Sequence, residues 1–219
     1  MKDPFLSDRM LCLLGGLSGA VGVVLLIVSF VINSAPPAGL TPTELIEWGK
    51  QHYASGLWGA WLQAIAPVLI VLFAFSLVHL AGAAGSVVGS MTFFGGTVLT
   101  TVSLIEITFY LAAWHVEPSI MPSISLRFIS AAQHLYFVVG GPALFTPLGI
   151  VILRSTVLPR GFGFVSLLLA AIFAAVGAVF ALTLTLPTPV LALAGVQGLW
   201  WLSAAVVLMA RALRTHSKA

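Results

Sequence analysis

The chain has 219 residues, 60% of them hydrophobic and only 7% charged, with a formal net charge of +3. A soluble domain carries roughly 25% charged residues, so a chain with mean hydropathy +1.13 cannot cover a water-facing surface. Its few positive charges sit mostly at the chain ends and in one loop, which excludes nucleic acid and reads as membrane orientation.

The composition implies an all-α fold, a polytopic bundle of six transmembrane helices forming one domain over residues 1–219. Six apolar segments run near 10–33, 55–83, 88–114, 125–153, 161–186 and 190–213. Each reaches the roughly 20 residues that cross about 30 Å of hydrocarbon, and the longer ones must tilt or protrude. The first segment is Gly-rich and lacks a convincing small-x-small cleavage site before Pro36, so it reads as a retained helix. Gly15 and Gly19 in it follow the small-xxx-small spacing that lets helix backbones approach closely. So do Gly85 with Gly89, and Ala170 with Ala174 and Ala178. These contacts are expected within the chain, with a homo-oligomer face as the alternative. Cys12 is alone, which leaves no intrachain disulfide and no CxxC motif.

Residues 34–54 form the longest connection. Within it, Thr41-Pro42-Thr43-Glu44 is a capping box with proline at the first helical position. Leu45, Trp48, His52 and Tyr53 follow at helical spacing. This predicts a short amphipathic helix near 42–53 on the outer membrane face, packed on the bundle or placed as a lid. Pro67, Pro142 and Pro147 lie inside spans and each removes a backbone donor. Gly140-Gly141-Pro142 is the expected soft point of the fourth span.

Orientation follows from Lys and Arg. With the N-terminus inside, the inner side holds Lys2, Arg9, Arg154, Arg160, Arg211, Arg214 and Lys218, and the outer side only Lys50 and Arg127. Seven against two predicts both termini in the cytoplasm of a multi-pass plasma (inner) membrane protein, with the lipid bilayer as its main partner.

Glu106 is the most informative residue. It is the sole charge in an apolar run, and intramembrane carboxyls usually face a bundle interior and mark a functional site. It lies eight residues inside Trp114, roughly 12 Å below the end of its helix. Counting in the same way puts His134, Gln63 and Gln197 within roughly 12–13 Å of the same end. Four helices therefore place a hydrogen-bonding side chain in one layer of the outer half. The third and fourth spans are joined by a short loop, so Glu106 and His134 are expected to meet as a catalytic or proton-binding pair. Gln133, Tyr110, Tyr136 and Trp201 are candidate ligand-binding residues around them, and Arg127 stands at the mouth.

Other chemistries find no support in the sequence. GxSxG, HExxH, Walker and Rossmann patterns are absent. A metal centre needs more ligands than Glu106 and His134, unless His115 or Glu117 reaches inward, and haem ligation by His134 lacks a second axial histidine at its depth. No cofactor is assigned. The outer-loop stretch ThrProThrGluLeuIleGluTrpGlyLys and the LeuProArgGlyPheGly before the fifth span resemble a broad group of bacterial six-helix membrane proteins of unknown function. That resemblance implies a bacterial plasma membrane and carries no activity.

Three functions fit these residues. The first is an outward-facing polar pocket that binds or transports a small ligand, proton or cation. The second is an intramembrane enzyme using Glu106 and His134 as acid and base on a lipid or isoprenoid substrate. The third is a non-catalytic accessory protein whose polar layer ties helices together.

Overall fold

The computed structural model describes residues 7–33, 37, 39–115, 122–180 and 189–214, the side chains of 42, 113–115, 122–127, 180, 189–191 and 214 excepted. The described residues are helical, with no strand among them. The helices are α1 (Asp8–Ile32), α2 (Pro42–Leu80), α3 (Val87–His115), α4 (Pro122–Leu135), α5 (Gly141–Leu153), α6 (Arg160–Phe180) and α7 (Pro189–Arg214), with a π-helical turn at Tyr136–Gly140. The second half of α4, the π turn and α5 make one continuous crossing, so six helical segments are long and apolar enough to span a membrane. Their outer faces carry exposed apolar side chains such as Val31, Val87 and Phe94. Such a surface suits hydrocarbon and not water, and identifies a multi-pass integral membrane protein.

Local chemistry explains the ends. Ser7 caps α1, its Oγ accepting from the Met10 amide at 3.3 Å. At α2 the capping box forms as expected: the Thr41 hydroxyl accepts from the Glu44 amide, and the Glu44 carboxylate accepts from the Thr41 amide at 2.8 Å. The helix predicted over 42–53 is present and continues without a break into the second span. At 39 residues α2 measures about 58 Å, well beyond the thickness of a hydrocarbon core.

α1 lies between α2 and α7, α2 also packs on α3, and α3 reaches α4, the π turn and α5, which in turn packs on α6. The glycine face of α1 makes the first of these contacts possible. A Cβ on Gly19 would stand 2.7 Å from Phe73 Cγ, and one on Gly15 would stand 2.5 Å from Ser76 Cβ. The Gly15/Gly19 spacing thus serves an intrachain contact. On α6, Ala170 is buried whereas Ala174 and Ala178 are exposed.

Proline chemistry shapes the fourth crossing. Pro142 cannot donate to Val138, and the widened turn instead sends the Gly141 amide to the Tyr136 carbonyl, the i to i+5 register of a π bulge. Pro147 likewise denies the Ala143 carbonyl its helical donor. That carbonyl is covered by α3 at Gly95, where a Cβ would come within 2.0 Å of it. Phe73, Phe145, Phe173 and Trp201 fill the bundle centre, with Phe145 and Trp201 ring centroids 5.1 Å apart. At the other end the Arg211 guanidinium donates to the carbonyls of Thr156 (2.5 Å) and Val157 (3.0 Å), pinning the α5–α6 connection to α7.

Candidate functional site

Glu106 sits on α3 and is 9% exposed, with the neighbouring Ile107 also buried. Its Oε1 accepts two hydrogen bonds, from Gln133 Nε2 of α4 at 2.9 Å and from Gln63 Nε2 of α2 at 3.4 Å. One carboxyl oxygen therefore joins three helices. Among the described residues Oε2 takes no hydrogen bond, and that atom is the chemically uncommitted part of the group. Gln63 is itself buried at 7% exposure, so its amide has no alternative partner in bulk water.

The sequence pointed to the imidazole of His134 as partner of Glu106. The donors to Oε1 are the two glutamines. His134 is buried on α4, and its Nδ1 lies 2.8 Å from the Ser130 carbonyl. A carbonyl only accepts, so this contact places the proton on Nδ1. The difference is one residue of helical phase. Gln133 precedes His134 by about 100° around the helix axis, and it is Gln133 that faces α3.

A second polar pair lies beside the first. The Gln197 amide of α7 donates to the Tyr136 hydroxyl at the start of the π turn. The Tyr136 ring packs at right angles to Phe137 and Phe173, with centroids 5.7 and 5.8 Å away. The four-helix layer expected from the sequence is thus divided into two bonded groups, Glu106 with Gln63 and Gln133, and Gln197 with Tyr136. Tyr110 is partly buried one turn along α3 from Glu106, on the same face. Trp201, one turn from Gln197, is 1% exposed, and its indole Nε1–H has no hydrogen-bond acceptor among the described residues. The side chain of Arg127, and those of His115 and Glu117, lie outside the described residues.

Proline placement adds a feature beyond the polar side chains. Pro67 stands four residues after Gln63 in α2 and is buried. Its nitrogen bears no hydrogen, so the main-chain carbonyl of Gln63 lacks its α-helical donor. The signal was in the sequence as a glutamine followed at i+4 by proline.

Other chemistries are poorly served. Among the described residues no three His, Cys, Asp or Glu side chains gather as a metal-binding group. Two apolar grooves are described, one between α6 and α7 beside Phe162 and Trp200, the other between α2 and α3 beside Phe75 and Thr97. Glu106 lines neither. The arrangement at Glu106 is a carboxyl group with one oxygen held by amides and the other able to exchange a proton or meet a positive ligand.

No protein-family model, no curated protein and no solved structure matches this chain.

Proposed function

We propose that this protein is a plasma-membrane carrier or ligand-binding protein that takes up a proton or a small cationic ligand at Glu106 from the extracytoplasmic side. The observation that carries the reading is the unequal state of the two carboxyl oxygens: Oε1 is held by Gln63 and Gln133, while Oε2 has no hydrogen-bond partner among the described residues. A group used only to tie helices together would be expected to engage both oxygens with its neighbours, whereas among the described residues the fully buried unpaired side-chain atom is Trp201 Nε1 and not Oε2 of Glu106. The positive-inside count supports the outward direction, since Glu106 lies in the half of the bundle away from the termini. The π turn beside the site favours function too, because such bulges concentrate at working positions and loosen helix register there.

The amides give the site its specificity. Both amide N–H groups converge on Oε1, which restrains the carboxyl group at that oxygen. Protonation of the group neutralises a buried charge, and deprotonation leaves the negative charge held by two donors. Either form is tolerated, as a proton-exchange site requires.

A hydrophobic carbodiimide tests this directly. Such a reagent enters the bilayer, and a protonated carboxyl adds across its C=N bond to form an O-acylisourea, which rearranges in the dry site to a stable N-acylurea. In the purified protein, mass spectrometry of peptides should find one dominant adduct at Glu106. The labelling rate should fall as pH rises, because the reactive species is the acid. Glu106→Gln should abolish the adduct, and reconstituted vesicles bearing that variant should lose pH-driven uptake. A carboxyl that never reacts between acid and alkaline pH would refute the reading and leave a structural polar network.

A further inference from the structure

We infer that the groove between α6 and α7 binds one anionic phospholipid, with the phosphate at Arg211 and an acyl chain along the groove. Glu106 does not line this groove, so the two sites stand or fall separately.

α7 packs mainly on α1 and meets α6 at few points, which leaves a furrow of about 410 Å³ between the two helices. That volume lies in the roughly 300–1,000 Å³ range of ligand sites. Phe162 and Val165 of α6 form one wall, and Val196, Leu199 and Trp200 of α7 form the other. The Trp200 Nε1–H donates to the Phe162 carbonyl at 3.0 Å, and the two rings meet edge-on with centroids 6.2 Å apart. These contacts fix the floor of the furrow. Val196 and Leu199 are exposed, so it opens sideways onto hydrocarbon, where an acyl chain can enter.

Chemistry changes along the furrow in the order of a phospholipid, from tail to headgroup. The apolar stretch of α7 from Val196 to Trp200 comes first. Ser203 then adds a hydroxyl with no hydrogen-bond partner among the described residues. Arg211 follows eight residues on, about 12 Å along α7, and helical side chains lean toward the N-terminus, here toward Ser203. Separate contacts hold its guanidinium at the foot of the furrow. Nη1 donates to the carbonyls of Thr156 and Val157, in the connection that reaches the lining residue Pro159. Nε and Nη2 carry three further N–H groups, with no acceptor among the described residues. A planar fork of this kind matches a phosphate, whose oxygens it can engage in pairs.

Charge complementarity selects an anionic lipid. Arg154 and Arg160 bracket the same connection, are exposed, and have no ion pair among the described residues. Asp8, the described acid at this end, belongs to α1, which does not line the furrow. Basic pockets between membrane helices take up anionic headgroups.

The test uses the full chain in phosphatidylcholine nanodiscs with a trace of phosphatidylglycerol that carries a photoactivatable diazirine in its acyl chain. After irradiation, mass spectrometry of peptides should place the adduct within 159–165 and 196–203. Added phosphatidylglycerol should displace the probe, and added phosphatidylcholine or inorganic phosphate should not. Arg211→Gln and Arg160→Gln should each raise the half-displacing phosphatidylglycerol fraction about fivefold, the factor expected for one cation at a membrane surface. Arg160→Gln leaves the Arg211 clamp in place, so its result stands even where Arg211→Gln unfolds the chain. Ser203→Phe fills the furrow without altering charge and should remove the adduct from both peptides. Equal displacement by phosphatidylcholine, displacement by inorganic phosphate, or adducts spread evenly over the outer faces would overturn the site. Unchanged displacement in both arginine variants would overturn the headgroup assignment. Cross-links between copies at this face, with no lipid adduct, would overturn the lipid in favour of a subunit interface.

Discussion

Replacing Gln133 by Leu removes the shorter of the two bonds that hold Glu106, and its effect can be worked out from geometry. The Gln133 contact is 2.9 Å and the Gln63 contact 3.4 Å. The first is at the usual N–H···O distance and the second beyond the usual range. Hydrogen bonds to charged groups contribute roughly 1.5–3 kcal/mol in soluble proteins. Inside bilayers double-mutant cycles average about 0.6 kcal/mol and reach about 1.7. Placing the stronger bond near the upper end gives a coupling of about 1–1.5 kcal/mol between Gln133 and Glu106. Gln63 should couple to Glu106 by about 0.5 kcal/mol or less. The assay is reversible unfolding in mixed micelles of the native chain, Gln133→Leu, Glu106→Leu and the double variant, with the parallel cycle at Gln63. A coupling at Gln133 within error of zero, or smaller than that at Gln63, would refute the assignment of Gln133 as principal donor to the carboxyl.

Two further substitutions probe the frame around the site. Gly19→Val should destabilise the bundle by about 1–3 kcal/mol through overpacking, because a Cβ there would lie 2.7 Å from Phe73 Cγ; thermal unfolding followed by circular dichroism would show it, and an unchanged midpoint would place α1 elsewhere. Tyr136→Phe removes the acceptor of the Gln197 amide and should cost about 1 kcal/mol while leaving carbodiimide labelling of Glu106 intact; a large change in labelling would mean that the two polar groups act as one.

The spans were legible because hydrocarbon imposes a length and a composition on any helix that crosses it. The boundaries of the first, third and sixth segments fall within two residues of α1, α3 and α7. The soft point at Gly140-Gly141-Pro142 was legible for a local reason, the missing proline donor, and becomes the π turn. The donors to Glu106 Oε1 were harder to read. Gln133 faces α3 one residue before His134, and placing it there requires helical phase to within about 100°, finer than span ends allow. The full length of α2 was also hidden. A capping box marks where a helix begins, but nothing in residues 42–55 says whether the chain bends before entering the bilayer. The Arg211 clamp on the α5–α6 connection depends on tertiary closure between distant segments and had no local signal.

The unbroken α2 couples two places that a loop would have isolated. Its first turns sit some 20 residues before Gln63, about 30 Å away along one axis, and Pro67 supplies a compliant joint just past that point. A displacement of the turn that carries Trp48 and His52, whose rings stack 4.3 Å apart, is passed along a rigid helix toward Gln63 rather than lost in a flexible tether. The longest helix thus puts its capped first turns, the stacked Trp48–His52 pair and Gln63 on one continuous rod.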